Sequence, residues 1–192
     1  MSMRHVSWNT DDISDSSKAE RLLEICNEAR DNGRKVLVFT YFKETIEKVK
    51  LLLGDRCMTP ITGAVPASKR QEIIDEFSKR EDGAVLICQV LAGGVGLNIQ
   101  SASVVVFCEP QLKPSMETQA IARSYRMGQS RSVLVHRLLA DETVDERILD
   151  ILKEKSDIFE SFADDSVIAN ENKKISQVEN LIKEQQEYWG KE

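Results

Sequence analysis

Val36-Leu37-Val38-Phe39 is an unbroken apolar run, set between Gly33 upstream and Thr40-Tyr41 downstream. A strand with one wet face alternates apolar and polar residues. A short continuous run rich in β-branched and aromatic residues instead fits a strand covered on both faces, as in a parallel sheet. Ala84 to Cys88 and Val104 to Cys108 repeat the pattern, Val133 to Leu139 reads as a final strand, and Met58 to Ile61 is a further short candidate. Between these runs the apolar spacing becomes helical. Ser17 to Asn32 carries Leu22, Leu23, Ile25, Cys26 and Ala29 on one face and stops at Asn32-Gly33. Lys43 to Leu53 ends at Gly54, and Ala67 to Ser78 turns Ile73, Ile74 and Phe77 inward. Strands joined by helical crossovers predict an α/β fold with a mostly parallel, helix-covered sheet. In such sheets ligands lie at the carboxyl ends of the strands, where the loops after Phe39 and Cys108 and the Ala92–Gly96 loop converge.

Ser115 to Arg126 is predicted helical, and so is Thr143 to about Phe162, with Thr143 as N-cap and Glu146 three residues on. After Ala163 the composition shifts through Asp164-Asp165-Ser166. Ile175, Val178, Leu181, Ile182 and Trp189 then recur at helical spacing, predicting an extra helix that folds back on the domain or docks on a partner. The expected organisation is a lead-in and helix over 1–34, a main domain over 35–162 and a helical tail over 163–192.

The 192 residues suffice for one domain with its own core plus an extension. A net charge of −6 argues against a self-sufficient nucleic-acid-binding module, which would normally be basic, but leaves room for a local phosphate-binding strip. No apolar run approaches the ~18 residues of a membrane span, and Met-Ser-Met-Arg-His lacks the apolar stretch of a secretory leader. Cys26, Cys57, Cys88 and Cys108 show no CxxC pair and no metal-ligand spacing, so reduced core thiols of a cytosolic protein are expected. His136 lies within a strand-like run and reads as structural.

Two stretches carry chemistry. Gln119-Ala120-Ile121-Ala122-Arg123-Ser124-Tyr125-Arg126-Met127-Gly128-Gln129 sets Gln119, Arg123 and Arg126 at i, i+4 and i+7, one face of a continuous helix. Two guanidinium groups side by side suit phosphate oxygens, because each planar fork donates hydrogen bonds in pairs. In isolation such a face more often pairs with carboxylates on a protein surface. Gly93-Gly94-Val95-Gly96 follows a buried strand, where glycines let backbone amides approach a phosphate; a tight structural turn is the simpler alternative. No GxxxxGK[ST] loop occurs in the chain, and GGVGLN lacks the spacing of a dinucleotide fingerprint.

In order along the chain the blocks are more specific. Val36 to Phe42 precedes Ile61-Thr62-Gly63-Ala64-Val65-Pro66, then Lys69-Arg70-Gln71 with Ile74-Asp75-Glu76-Phe77. Ala92-Gly93-Gly94-Val95-Gly96-Leu97-Asn98 and the arginine stretch follow, then Val135-His136-Arg137-Leu138 and Thr143-Val144-Asp145-Glu146-Arg147-Ile148. This series resembles the second RecA-like lobe of the SWI/SNF-related ATPases of helicase superfamily 2, over roughly Lys35 to Ile151. Arg-Met-Gly-Gln resembles the Arg-Ile-Gly-Gln ending that marks the family.

The resemblance implies a RecA-like three-layer lobe that works with ATP and Mg2+. Arg123 and Arg126 would reach across a cleft to the ATP β- and γ-phosphates, with Gln119 beside them. Gly93, Gly94, Gly96 and Asn98 would line that cleft. Thr40, Thr62, Gly63 and Arg70 would touch the DNA backbone, and Lys113 adds a charge near it. A phosphate-cradling lysine and magnesium carboxylates do not appear in these blocks; the family carries them on a first lobe. The implied partners are that first lobe, double-stranded DNA and a DNA-bound protein being remodelled, with no membrane. Location would be cytoplasmic and nucleoid-associated in a prokaryote, nuclear in a eukaryote.

Two departures stand out. A Ser/Thr-Thr-Arg/Lys run usual before the Ala-Gly-Gly is Gln89-Val90-Leu91 here, which removes a basic contact. Asp-Pro-x-Trp-Asn-Pro is Glu109-Pro110-Gln111-Leu112-Lys113-Pro114. Three alternatives stay open at this level: an RNA helicase lobe, a degenerate lobe that docks proteins, and a freestanding α/β enzyme that holds a nucleotide cofactor on Gly93–Gly96.

Overall fold

A computed structural model of the chain describes Trp8, Ile13, residues 16–90, Ala92, residues 98–110, 114–124 and 132–140, and Asp145, Asp150 and Lys153. The chain divides into two compact units, Met1–Lys153 and Glu154–Glu192, and the described residues belong to the first. Its elements are α1 (Ser17–Asp31), β1 (Val36–Thr40), α2 (Lys43–Leu53), α3 (Ala67–Lys79), β2 (Val85–Gln89), β3 (Val104–Phe107), α4 (Pro114–Ala122) and β4 (Leu134–Arg137). The four strands form one sheet in the order β2-β1-β3-β4. All three pairings are parallel, with Val36 opposite Val85 and Val104, and Val104 opposite Leu134.

The continuous apolar runs are explained by burial on both sides. Val36, Val38, Val85, Ile87, Val104 and Val106 face a core closed by Leu22, Ile25 and Cys26 of α1 and Ile46 and Val49 of α2. Their neighbours Leu37, Phe39, Leu86, Cys88, Val105 and Phe107 point the other way, onto Ile73, Ile74 and Phe77 of α3 and Ala120 of α4. Period-two alternation thus sorts one strand between two cores, giving three layers. Phe39 and Phe107, opposite each other in register, stack with ring centroids 5.4 Å apart. The edge strand β4 is different: Leu134 and Arg137 are exposed, and Val135 and His136 half-buried.

Local signals mark the element ends. Ser16 caps α1, its Oγ accepting from the Ala19 amide at 3.3 Å, and Gly33 turns the chain with φ +62°, a conformation open to glycine. Lys35 Nζ donates to the Phe77 and Ser78 carbonyls, 3.2 and 2.8 Å, satisfying the end of α3. The candidate strand Met58 to Ile61 is reduced to two parallel bridges onto β2, Cys57 with Val85 and Ile61 with Cys88. Pro60 between them has no N–H to extend the ladder. Among the described residues of the predicted 143–162 helix, Asp145, Asp150 and Lys153 are helical; its Thr143 cap and the tail helix through Trp189 lie outside the described residues. Among the described residues no helix is long and apolar enough to cross a membrane.

Candidate functional site

Because all strands run one way, β1, β2 and β3 deliver Thr40, Gln89 and the Cys108-Glu109 pair to the same edge of the sheet. Glu109 is fully buried there. Its Oε1 accepts from Thr40 Oγ1 at 2.7 Å and its Oε2 from the Tyr41 amide at 3.2 Å. Burial pushes the Glu109 carboxyl up from its ordinary pKa, against the hydrogen bonds from Thr40 and Tyr41 and the nearby Lys18 charge, which hold it down. Beneath it, Lys18 is also buried. It pairs with Asp145 and donates to the Cys108 carbonyl, which Trp8 Nε1 shares at 3.3 Å.

Thr40, expected at the DNA backbone, is placed inside this network. Its side chain is 0% exposed and committed to Glu109 and the Phe42 amide, so it supports the loop from below. The group that reaches the surface at this point is Tyr41, 37% exposed. Thr62 is half-buried and Gly63 exposed. Arg70 lies beneath both and donates to backbone carbonyls throughout: Nε to Val65 at 2.7 Å, Nη1 to Ala92 at 3.2 Å, Nη2 to Thr62 and Gly63 at 3.4 Å each. Arg70 therefore joins the Thr62–Val65 turn to the start of the glycine loop.

Gly93, Gly94 and Gly96 lie outside the described residues, but both flanks of their loop are placed. Ala92 is held by Arg70, and Asn98 is exposed. Next to Asn98, the Ile99 amide donates to the Arg123 carbonyl at 2.8 Å. Gln119 is exposed on α4, Arg123 is half-buried just beyond it, and Arg126 and Lys113 lie outside the described residues.

The helix predicted through Arg126 ends at Ala122. There the bonding tightens to i→i−3, with the Arg123 amide on the Ala120 carbonyl and the Ser124 amide and hydroxyl both on the Ile121 carbonyl. The Arg123 carbonyl turns instead to Ile99. Gln119 thus lies within the helix and Arg123 in the turn that ends it, whose carbonyl is taken by Ile99. Glu117 in α4 fastens the helix to β4 by accepting from Arg137 Nε at 2.6 Å.

Sequence reasoning did not single out Gln89 and Glu109, which tie the loops of this edge together from beneath. The available signal was a polar or charged residue directly ending an apolar strand run, since only such a position reaches the edge. The four cysteines are free. Burial pushes the thiols up, Cys26 and Cys88 to about 12 and Cys57 to about 11, so they are poor metal ligands and nucleophiles at neutral pH. Among the described residues no His, Cys, Asp and Glu cluster is disposed to hold a metal ion.

Residues 17–128 match the model of the helicase conserved C-terminal domain. An ATP-dependent helicase of Mycoplasma genitalium is 33% identical over 152 residues, 78% of this chain and 15% of that protein. The human chromatin-remodeling ATPase INO80 is 32% identical over 148 residues, 76% of this chain and 10% of that protein. The solved structure of the C-terminal part of the Fun30 ATPase domain aligns with a TM-score of 0.70 at 26% identity, over 75% of this chain and 48% of that one. The chain thus spans a small part of the length of these two sequence relatives and about half of the solved chain. On its parallel three-layer fold, its matched residues and these relatives, the chain belongs to the helicase conserved C-terminal domain family, as a RecA-like lobe of the SWI/SNF-related superfamily 2 type.

Proposed function

We propose that this chain is the second motor lobe of an ATP-dependent translocase on double-stranded DNA, supplying arginine fingers to an active site shared with a first lobe. The observation that supports it is the 2.8 Å bond from the Ile99 amide to the Arg123 carbonyl, which joins the glycine-loop flank to the end of the arginine helix. A phosphate seated against the loop would lie beside the turn that carries Arg123 and leads to Arg126. Charge developing on a transferring phosphoryl group is what a guanidinium stabilises best, and such fingers contribute about 10³–10⁵ in rate.

In this reading Gln119 orients the phosphate-facing side, and Gly93, Gly94, Gly96 and Asn98 line the cleft. Thr62, Gly63, Arg70 and Lys113 border the track of the DNA backbone, with Thr40 acting from below. ATP brings Mg2+, whose carboxylate ligands belong to the first lobe, and the chain works in the nucleoid or nucleus on DNA-bound protein.

The test is ATP turnover by this chain combined with its first lobe, with and without duplex DNA. Turnover stimulated by DNA, absent from this chain alone and reduced about 10³-fold by Arg126→Ala, is expected. Turnover indifferent to Arg126→Ala would overturn the arginine-finger assignment, and stimulation by duplex RNA but not DNA would move the chain to an RNA helicase.

A further inference from the structure

Gln89 closes β2 and is half-buried, and its two amide atoms meet partners of opposite kind. Nε2 donates to the Tyr41 carbonyl at 3.2 Å, and Oε1 accepts from the Gly63 amide at 3.3 Å. One partner is an acceptor and the other a donor, so the carboxamide satisfies both in one orientation only. A glutamate lacks the donor and a leucine lacks both groups.

The bonds on either side extend this bridge. Tyr41 is held from β3 through its amide on Glu109, and from β2 through its carbonyl on Gln89. The Gly63 carbonyl rests on Arg70, which also holds Thr62, Val65 and Ala92. A continuous series of side-chain-to-backbone hydrogen bonds therefore runs from Glu109 through Tyr41, Gln89, Gly63 and Arg70 to the start of the glycine loop. Its outer members, Tyr41 and Gly63, are the exposed ones. Such a series does not strengthen the sheet ladder. It orders two loops against each other at the edge where ligand is expected, which lowers the ordering cost of binding there.

We propose that Gln89 is a positioning residue that fixes Tyr41 and Gly63 as one pre-ordered ledge for a nucleic-acid backbone, which Arg70 ties to the Ala92 loop. The proposal rests on the DNA-translocase reading above. Gln89 itself touches neither nucleotide nor DNA; it sets the geometry of the groups that do.

The experiment measures ATP turnover of the chain with its first lobe over a range of duplex DNA concentrations, for wild type, Gln89→Leu and Gln89→Glu. Hydrogen exchange at the Gly63 amide is followed in the chain itself. Gln89→Leu is expected to raise the DNA concentration for half-maximal stimulation about tenfold, as expected for loss of the two bonds, and to speed Gly63 exchange. Turnover without DNA and at saturating DNA should stay within about twofold. Gln89→Glu, which keeps the acceptor for Gly63, is expected to give a smaller shift with Gly63 still protected. A DNA-stimulated motor with unchanged half-saturation in Gln89→Leu, or with turnover falling equally at all DNA concentrations, would overturn the proposal. Should Gln89→Leu fail to fold, unchanged half-saturation in Gln89→Glu overturns it equally. A wild-type motor indifferent to DNA would instead overturn the translocase reading, and this role with it.

Discussion

Glu109 is where a single side chain carries the most consequence. Its carboxyl is buried and its pKa raised, chiefly by desolvation, so the fold holds a proton there more tightly than the unfolded chain does. Stability from this group is then fully present below the ordinary value of 4.5 and is lost as pH rises through the folded value. Glu109→Gln should abolish that fall, seen as a denaturation midpoint that no longer declines from pH 4.5 upward as in wild type. His136 has the opposite sign. Burial first, then the Arg21 charge, lowers its pKa below 6.5, so the unfolded chain binds the extra proton and stability is lost as pH falls below 6.5 toward the folded value. His136→Asn should remove that acid-side loss in the same titration. In the sequence His136 is a polar group within a strand run and Glu109 one just after a strand run; the direction of each shift depends on neighbours that the sequence does not specify.

Among elements, α1 and the helical segment at Asp145 are joined by the buried Lys18–Asp145 pair, which also engages the Cys108 carbonyl and the Ala140 amide. Removing one partner leaves a buried charge. Lys18→Met should therefore cost about 3–5 kcal/mol in chemical denaturation, while Lys18→Met with Asp145→Leu should recover much of it. A double variant no more stable than the single one would mean that the pair contributes more than its own neutralisation. The Glu117–Arg137 pair between α4 and β4 is different. Arg137 is 42% exposed in its side chain but Glu117 is buried, so Arg137→Met should cost about 1–3 kcal/mol, less than Lys18→Met. The α4 end shows how far spacing alone reaches. Helical periodicity in Gln119, Arg123 and Arg126 is real as a pattern, but the backbone leaves the α-helix at Ala122, where the Arg123 carbonyl is taken by Ile99.

At the scale of the molecule, thiols report on the integrity of the two cores. Cys26, Cys88 and Cys108 are buried and Cys57 half-buried. At pH 8 Cys57 should react first with a disulfide reagent, slowly because its pKa lies near 11, and the other three only at the rate of opening of the cores. Equal rates for all four would show that both cores open readily. Local patterns in the chain determined much of this architecture: the unbroken apolar runs require strands covered on both faces, and the helical spacing between them requires crossovers, so a parallel three-layer sheet and a shared carboxyl edge follow. The ordered motif blocks point to a candidate site on that edge. Only the tertiary structure decided which side chains reach its surface and which support it. Thr40 is inside and Tyr41 outside by the pleat of one strand end. Gln89 joins Tyr41, 48 positions away, to Gly63, 26 positions away. Hydrogen bonds between loops depend on where strands stop relative to one another in space, and no local periodicity encodes that.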